Sequence, residues 1–175
     1  MSADCAEPDQ QNHPSCLGTA EQPRDATRAG ECVAPLPAAN EGIVFIGHIE
    51  TPFATRAECP RQGYHDGPIC RLVLTPPFDL ALKGLETFDT IEVLYWLHEA
   101  RRDLLQQSPK SDGETFGTFA LRSPLRPNPI GTAVCKLVAI EGATVSVRGL
   151  DCLNGTPLID IKPDRCAYSP KVPSK

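Results

Sequence analysis

TIEVLYWL, residues 90–97, is the stretch that decides the fold, because it is the clearest β-strand in the chain. Ile91, Val93 and Tyr95 occupy alternate positions, so in an extended chain they share one face. The opposite face carries a leucine and a tryptophan, which makes both faces largely apolar. A strand that is apolar on both faces is expected in the interior of a sheet, with a neighbour on each side.

Further strands are predicted on both sides of this one, separated by frequent turn signals. They cover residues 43–49, 69–74, 116–121, 130–140 and 144–148, and the last two flank Glu141-Gly142-Ala143 as a hairpin. Helical patterns are short, with one helix within 78–88 and one helical turn at 99–105. Strands dominate, so the sequence predicts an all-β, barrel-like domain with short helices.

Three segments follow from composition. Residues 1–41 lack apolar periodicity and predict a disordered or weakly ordered N-terminal tail. Residues 42–168 form the predicted barrel domain, and residues 169–175 a C-terminal tail. No apolar run approaches the roughly 18 residues of a membrane span, and the N-terminus lacks a secretory signal. We therefore expect a cytoplasmic protein with no membrane segment.

Charge, cysteines and missing motifs exclude several classes of site. The net charge of −5 counts against a nucleic-acid ligand, although a local basic patch is compatible with it. The eight cysteines contain no C-x-x-C pair, so we predict reduced, packed thiols and no metal site. The chain has neither a G-x-G-x-x-G nor a P-loop motif, which excludes the usual dinucleotide and nucleoside-triphosphate sites.

The segment LRSPLRPNPIG, residues 121–131, is the first candidate for a binding function. Its three prolines restrict the backbone and remove donors, so the loop is stiff. Arg122 and Arg126 can present guanidinium groups to a carboxylate, a phosphate or a base edge. The alternative is a rigid surface connection whose arginines are solvated.

The segment GLDCLNGTPLIDIKP, residues 149–163, is the second candidate. Asn154-Gly155 predicts a tight turn. Asp160 and Lys162 are two apart in an extended run, so they share a face and can pair. The alternative is a structural turn with a surface ion pair.

Together the two segments resemble a known family. The blocks FALRSPLRPNPIG and LDCLNGTPLIDIKP are similar to F-A-T-R-S-P-x-R-P-N-P-I-G and L-D-x-x-D-G-T-P-x-x-D-I-K-P of the TsaA-like (YaeB-type) family of AdoMet-dependent tRNA methyltransferases. The resemblance implies a β-barrel, S-adenosyl-L-methionine (AdoMet) as co-substrate, and methylation of N6 of N6-threonylcarbamoyladenosine beside the tRNA anticodon. It also implies a homodimer with AdoMet near the subunit interface.

Site residues follow from the resemblance position by position. The implied AdoMet contacts are Pro60, Arg61, Gln62, His98, Glu99, Arg122, Asn154, Gly155, Thr156 and Pro157. The implied substrate or tRNA contacts are Arg126, Asn128 and Lys162, and the candidate catalytic bases are Asp160 and His98.

Two positions depart from the family pattern. Asn154 stands where an aspartate is usual, and Glu99 where a glutamine is frequent. Two other functions stay open, the first because the chain is acidic and the second because of the change at Asn154. One is an AdoMet-dependent methyltransferase that acts on another RNA or a small molecule, and the other is a non-catalytic ligand- or RNA-binding barrel.

Overall fold

The computed structural model describes residues 27–33, 42–110 and 112–164 of the 175-residue chain. It divides into two compact units. Of the described residues, the barrel unit contains 42–100 and 129–164, and the insertion unit contains 27–33, 101–110 and 112–128. In sequence, the insertion unit therefore interrupts the barrel between residues 100 and 129.

The described residues form nine strands. In chain order they are β1 (Cys32–Val33), β2 (Gly47–Glu50), β3 (Cys70–Leu74), β4 (Thr90–Trp96), β5 (Leu104–Gln107), β6 (Phe116–Gly117), β7 (Ile130–Glu141), β8 (Thr144–Arg148) and β9 (Thr156–Pro163). Six of them close into an antiparallel barrel in the order β2-β3-β8-β7-β4-β9. The all-β, barrel-like fold predicted from the sequence is thus confirmed.

The barrel interior is filled by one face of each strand. Fully buried core residues include Ile49, Leu72, Val93, Val145 and Leu158, which come from five different strands. Burial alternates along β4 and β8, as the period of two in an extended chain requires. These alternating apolar side chains supply the main stabilisation of the barrel.

Strand β4 is central, as its sequence predicts, and pairs with β7 on one side and β9 on the other. Its Tyr95 points inward and is 3% exposed. A Cβ atom on Gly131, the residue opposite in β7, would lie 2.2 Å from Cε2 of Tyr95. Only glycine leaves room for the tyrosine ring at this position.

All neighbouring strands are antiparallel, which brings six strand ends to one rim of the barrel. We call this edge the upper rim. It holds the last residues of β2, β4 and β8 and the first residues of β3, β7 and β9.

The insertion unit contains a small sheet in the order β1-β5-β6, followed by a 3₁₀ helix at Thr118–Ala120. The strand predicted over 116–121 is wrong beyond Gly117. Thr118 is buried and its hydroxyl donates to the Leu104 carbonyl, so the chain turns inward. The helical turn predicted at 99–105 is also wrong, because only Glu99 lies in a turn, residues 101–103 have no regular structure, and β5 begins at Leu104 and pairs with β1 and β6.

Two other elements differ from the predictions. The apolar run at 43–49 becomes a strand only from Gly47, and Ile43, Val44 and Phe45 are exposed. The helix predicted within 78–88 is two 3₁₀ helices, Phe78–Leu82 and Leu85–Thr87. None of the helices in the described ranges has the length and hydropathy needed to cross a membrane.

The N-terminal tail differs from expectation at residues 27–33. This segment forms a turn and strand β1, and it packs within the insertion unit. The rest of the predicted tail, residues 1–26 and 34–41, lies outside the described residues. So do residues 165–175, which include the predicted end of the barrel domain and the C-terminal tail.

Candidate functional site

The turn at residues 151–157 opens β9 and is held by the end of β2. The Asn154 amide donates to the Phe53 carbonyl at 2.8 Å, and the Gly155 amide donates to the Ile49 carbonyl at 2.8 Å. Gly155 has φ 78°, a left-handed conformation that favours glycine. The predicted Asn-Gly turn is therefore present on the upper rim.

Thr51 fixes the same turn from the side. Its backbone amide donates to Oδ1 of Asn154 at 3.1 Å, and its hydroxyl donates to the Cys152 carbonyl at 3.0 Å. Asn154 needs only one acceptor oxygen for this contact, and an aspartate would supply the same oxygen. The departure at position 154 therefore keeps the turn geometry and removes only the negative charge.

A buried hydrogen bond anchors the start of the turn to the barrel interior. The Tyr95 hydroxyl donates to Oδ1 of Asp151 at 2.6 Å. Burial, followed by the charge and hydrogen bond of Asp151, raises the pKa of Tyr95 well above its usual range. The phenol therefore stays protonated and continues to donate.

His98 and Glu99 follow β4 on the same rim. Tyr95 at the end of β4 lies opposite Leu158 near the start of β9, so the two segments emerge side by side. The Leu97 amide donates to the Pro129 carbonyl at 2.8 Å and fixes the end of the strand. Both side chains are exposed, and Nε2 of His98 lies 4.0 Å from Oε1 of Glu99.

Residues Pro60-Arg61-Gln62 lie in the connection from β2 to β3, which begins and ends at the upper rim. A Cβ atom on Gly63, the next residue, would lie 1.7 Å from the Gly149 carbonyl oxygen. The connection is therefore pressed against the backbone that follows β8. The ring of His65 also contacts the Val134 carbonyl, with an Nε2–O distance of 3.0 Å. Arg61 and Gln62 are exposed above this anchored backbone.

The turn also ends an open groove of 760 Å³ on the outside of the barrel. Its lining includes the polar residues His48, Glu50, Arg71, Ser146 and Asn154 together with Pro52 and Ile69. Nε of Arg71 donates to Oε2 of Glu50 at 2.7 Å, which lowers the pKa of that carboxyl group. Asn154 and Gly155 are thus accessible from solvent.

Thr156 differs from the other residues of the turn. It is fully buried, and its hydroxyl donates to the Leu153 carbonyl at 2.7 Å. The side chain is used to build the turn, whereas Asn154 and Gly155 face outward.

Asp160 and Lys162 lie farther along β9, opposite Leu94 and Glu92 of β4. Their side chains form the ion pair that the sequence predicts. Because a strand advances roughly 3.3 Å per residue, both stand away from the rim. The structure therefore does not bring them into the group formed by the three rim segments.

Arg122, Arg126 and Asn128 belong to the insertion unit. Arg126 is half-buried, and its Nε donates to the Ser123 carbonyl at 2.9 Å while Nη2 donates to the Leu121 carbonyl. Two of its donors therefore shape the Arg-Pro loop, which we define as residues 121–128. Arg122 and Asn128 are exposed.

Three thiols of the described residues, Cys70, Cys135 and Cys152, are buried in the core, whereas Cys59 is half-buried. Cys59, Cys70, Cys135 and Cys152 are free. Burial raises the pKa of Cys135 to about 12 and also raises the pKa of Cys70 and Cys152. Such thiols are poor nucleophiles. Within the described ranges, no group of three or more His, Cys, Asp or Glu side chains is arranged to hold a metal ion.

Sequence reasoning did not identify Thr51, Tyr95 and Asp151 as residues that hold the site. Asp151 lies in the quoted segment 149–163, so its position in a motif was the one sequence feature that could have pointed to it. Its partner Tyr95 is 56 residues away, and no local pattern links the two.

Comparison with known proteins identifies relatives across the barrel. Residues 48–171 match the family model described as the tRNA-methyltransferase O N-terminal domain. A probable S-adenosyl-L-methionine-binding protein, VirR of Rhizobium radiobacter, is 48% identical over 147 residues, which cover 83% of this chain and 84% of that protein.

Two further relatives are longer than this chain. The tRNA (adenine(37)-N6)-methyltransferase of Rattus norvegicus is 33% identical over 157 residues, which cover 83% of this chain and 36% of that protein. A crystal structure of TrmO from Pseudomonas aeruginosa is 33% identical with a TM-score of 0.61. The match covers 78% of this chain and 61% of the TrmO chain, so this chain spans less than two thirds of that structure.

Proposed function

The chain belongs to the tRNA-methyltransferase O family, and on that basis we propose that it is an AdoMet-dependent tRNA methyltransferase. We propose further that it methylates N6 of N6-threonylcarbamoyladenosine next to the anticodon. The observation that supports the proposal is that three motif segments lie in connections that adjoin strand ends of the upper rim. These segments are Pro60-Arg61-Gln62, His98-Glu99 and the turn Asn154–Pro157.

The chemistry of these residues fits AdoMet. The exposed guanidinium of Arg61 suits the carboxylate of the methionine portion. The exposed carboxylate of Glu99 suits its amino group or its sulfonium, because both are positively charged. No pyrophosphate has to be held, so the missing glycine-rich phosphate loop is consistent with this ligand. Glu99, which stands where the family often has glutamine, therefore adds a negative charge that favours binding of AdoMet.

Positioning supplies most of the expected catalysis. AdoMet provides an electrophilic methyl group, and the acceptor nitrogen is a weak nucleophile because its lone pair is delocalised into a carbonyl group. A rim whose segments are fixed by hydrogen bonds to β2 and β4 can hold the reacting atoms in line. Burial of Thr156 fits a role in shaping the turn instead of direct ligand contact.

His98 is the better of the two candidate bases for removing the N6 proton. It lies on the rim with an exposed ring, whereas Asp160 is held in its ion pair with Lys162 on the outer face of β9. In this proposal Lys162 and Asp160 contribute to the surface that faces RNA.

The insertion unit carries the residues that we propose contact the modified base. Arg122 would contact AdoMet, while Arg126 has its Nη1 group available for the threonyl carboxylate and Asn128 is exposed beside it. Phe119 is 85% exposed although the adjacent Thr118 is locked by hydrogen bonds. Exposed aromatic rings on a rigid support are suited to stacking on unpaired bases, as RNA-binding proteins use them.

We also propose that the protein is a homodimer and that it acts in the cytoplasm. Ile130, Val134 and Val138 are exposed apolar residues at every fourth position of β7, on the strand face that also carries Thr132 and Lys136. Such a stripe supports association with a second copy. Sedimentation equilibrium measures the oligomeric state, and a monomer at all concentrations would contradict this part.

The test uses radiolabelled AdoMet with tRNA that carries or lacks the threonylcarbamoyl group. We expect transfer only to the modified tRNA. Transfer to unmodified tRNA alone would favour another RNA acceptor, and no transfer to modified tRNA would refute the proposed substrate. Calorimetric titration with AdoMet separates both enzymes from a barrel that does not bind AdoMet.

His98→Asn and Asp160→Asn separate the two candidate bases. We expect His98→Asn to lower kcat at least tenfold and Asp160→Asn to act mainly on KM for tRNA. The reverse pattern would transfer the role of the base to Asp160.

A further inference from the structure

The insertion unit connects a segment from before the barrel to the Arg-Pro loop. Strand β1 pairs with β5, with Cys32 opposite Gln106 and Val33 opposite Leu104. This segment precedes residue 48, where the match to the family model begins. The segment therefore lies outside the part of the chain that the family model matches.

Glu31 attaches the segment to the insertion. It is 4% exposed. Its Oε1 accepts the Ser108 amide at 3.1 Å, and its Oε2 accepts the Arg28 amide at 2.9 Å. Arg28 in turn donates from Nη1 to the Ser108 carbonyl at 2.8 Å. A carboxylate this buried is unfavourable unless such bonds compensate it, so the attachment is specific.

Gln107, the residue before Ser108, carries the connection to the Arg-Pro loop. It is 5% exposed, and its Nε2 donates to the Leu125 carbonyl at 2.6 Å and to the Thr118 hydroxyl at 3.0 Å. Leu125 directly precedes Arg126 in the loop. The connection thus runs from Glu31 through a hydrogen bond to Ser108, along the chain to Gln107, and through a second hydrogen bond to Leu125.

We infer that residues 27–33 and Gln107 form one support that holds the Arg-Pro loop in its binding conformation. Glu31 and Gln107 are then positioning residues, which act through the loop that carries Arg122 and Arg126. The inference deepens the proposed function and rests on it for the roles of the two arginines.

Hydrogen exchange of the full chain, followed by mass spectrometry, tests the support without any ligand. The variants are Glu31→Ala and Gln107→Ala. Gln106→Ala is the matched control, because the same residue type stands one position earlier with an exposed side chain. We expect amides of residues 121–128 to exchange about tenfold faster in both variants, as loss of a buried hydrogen bond predicts. The control and the amides of β4 should match the wild type.

Binding provides the second readout. We expect both variants to raise the Kd for AdoMet or the KM for modified tRNA about five- to tenfold, with kcat changed less than twofold. Glu31→Gln keeps one acceptor oxygen and should recover part of the loss. A general folding defect would instead speed exchange in β4 and lower kcat.

Unchanged exchange of the loop in both Glu31→Ala and Gln107→Ala overturns the inference, whatever the activity. Faster exchange with unchanged Kd and KM also overturns it, because the loop would then not be held for binding. If the wild type neither binds AdoMet nor methylates modified tRNA, the proposed function fails. Faster loop exchange in the variants would in that case still support the structural half of the inference.

Discussion

Replacement of Tyr95 by phenylalanine isolates the buried hydrogen bond that anchors the start of the turn. The change removes only the hydroxyl that donates to Oδ1 of Asp151 at 2.6 Å. The ring and its close contact with Gly131 are retained, so the substitution leaves no large cavity in the core. The effect can therefore be attributed to the hydrogen bond and to the carboxylate that loses its donor.

The expected loss in the free energy of unfolding is about 2 kcal/mol. Hydrogen bonds to charged groups contribute roughly 1.5–3 kcal/mol. The lower half of that range applies because Asp151 is only half-buried, so water can partly replace the lost donor. Since Asp151 opens the 151–157 turn, we also expect weaker binding of AdoMet.

Urea denaturation at pH 7 measures the change, with Tyr64→Phe as the matched control. Tyr64 is 60% exposed, so its substitution should change the free energy by less than about 0.5 kcal/mol. Asp151→Asn and the double variant complete a cycle that gives the coupling between the two side chains. A free energy for Tyr95→Phe within 0.5 kcal/mol of the wild type would refute the assignment.

Tyr95→Phe should also change how the free energy of unfolding depends on pH above pH 10. Burial and Asp151 raise the folded-state pKa of Tyr95, while the phenol of the unfolded chain has the ordinary tyrosine pKa of 10.0. Its stabilising contribution is therefore complete below pH 10 and declines as pH rises further, by at most about 1.4 kcal/mol per pH unit. The difference between wild type and Tyr95→Phe should narrow above pH 10.

Three further changes test the packing and the turn. Gly63→Ala should destabilise the chain by at least about 3 kcal/mol and abolish AdoMet binding, because its Cβ would lie 1.7 Å from a backbone oxygen; normal binding in calorimetry would contradict this. Burial raises the pKa of the Cys135 thiol from 9.0 to about 12, so the wild type should lose free energy of unfolding as pH rises from about 9 to 12. Cys135→Ala should lose less over this range. If denaturation at several pH values gave the same dependence on pH for both proteins, the thiol would not be buried in this way. Asn154→Ala should cost about 1 kcal/mol in thermal unfolding, because the Thr51 amide loses its acceptor, whereas Asn154→Asp should stay within about 0.5 kcal/mol; equal losses in both would show that the acceptor oxygen is not what matters.

Local patterns predicted much of the barrel. Alternation identified β4, the Glu141-Gly142-Ala143 turn identified the β7–β8 hairpin, and the spacing of Asp160 and Lys162 predicted their ion pair. Each of these features depends on residues close in sequence, whose geometry follows from the period of an extended chain or from turn preferences.

The segments without local apolar patterning were harder to predict. Residues 27–33 resemble a solvated tail because they are polar, yet Glu31 is buried by bonds to Ser108, 77 residues away. No local pattern predicted that two donors of Arg126 bond carbonyls within its own loop. Such contacts depend on which groups the folded chain brings within about 3 Å.

The sequence by itself determined the strand-rich character, the family and the residues that can carry chemistry, because these depend on side-chain type and short spacing. Only the tertiary structure decided that β9 closes the barrel between β2 and β4. That closure brings the Asn154–Pro157 turn to the same rim as His98 and Glu99. It also leaves Asp160 on the outer face of its strand. Register and closure arise from burying apolar faces from distant segments together, a condition that no local stretch of sequence contains.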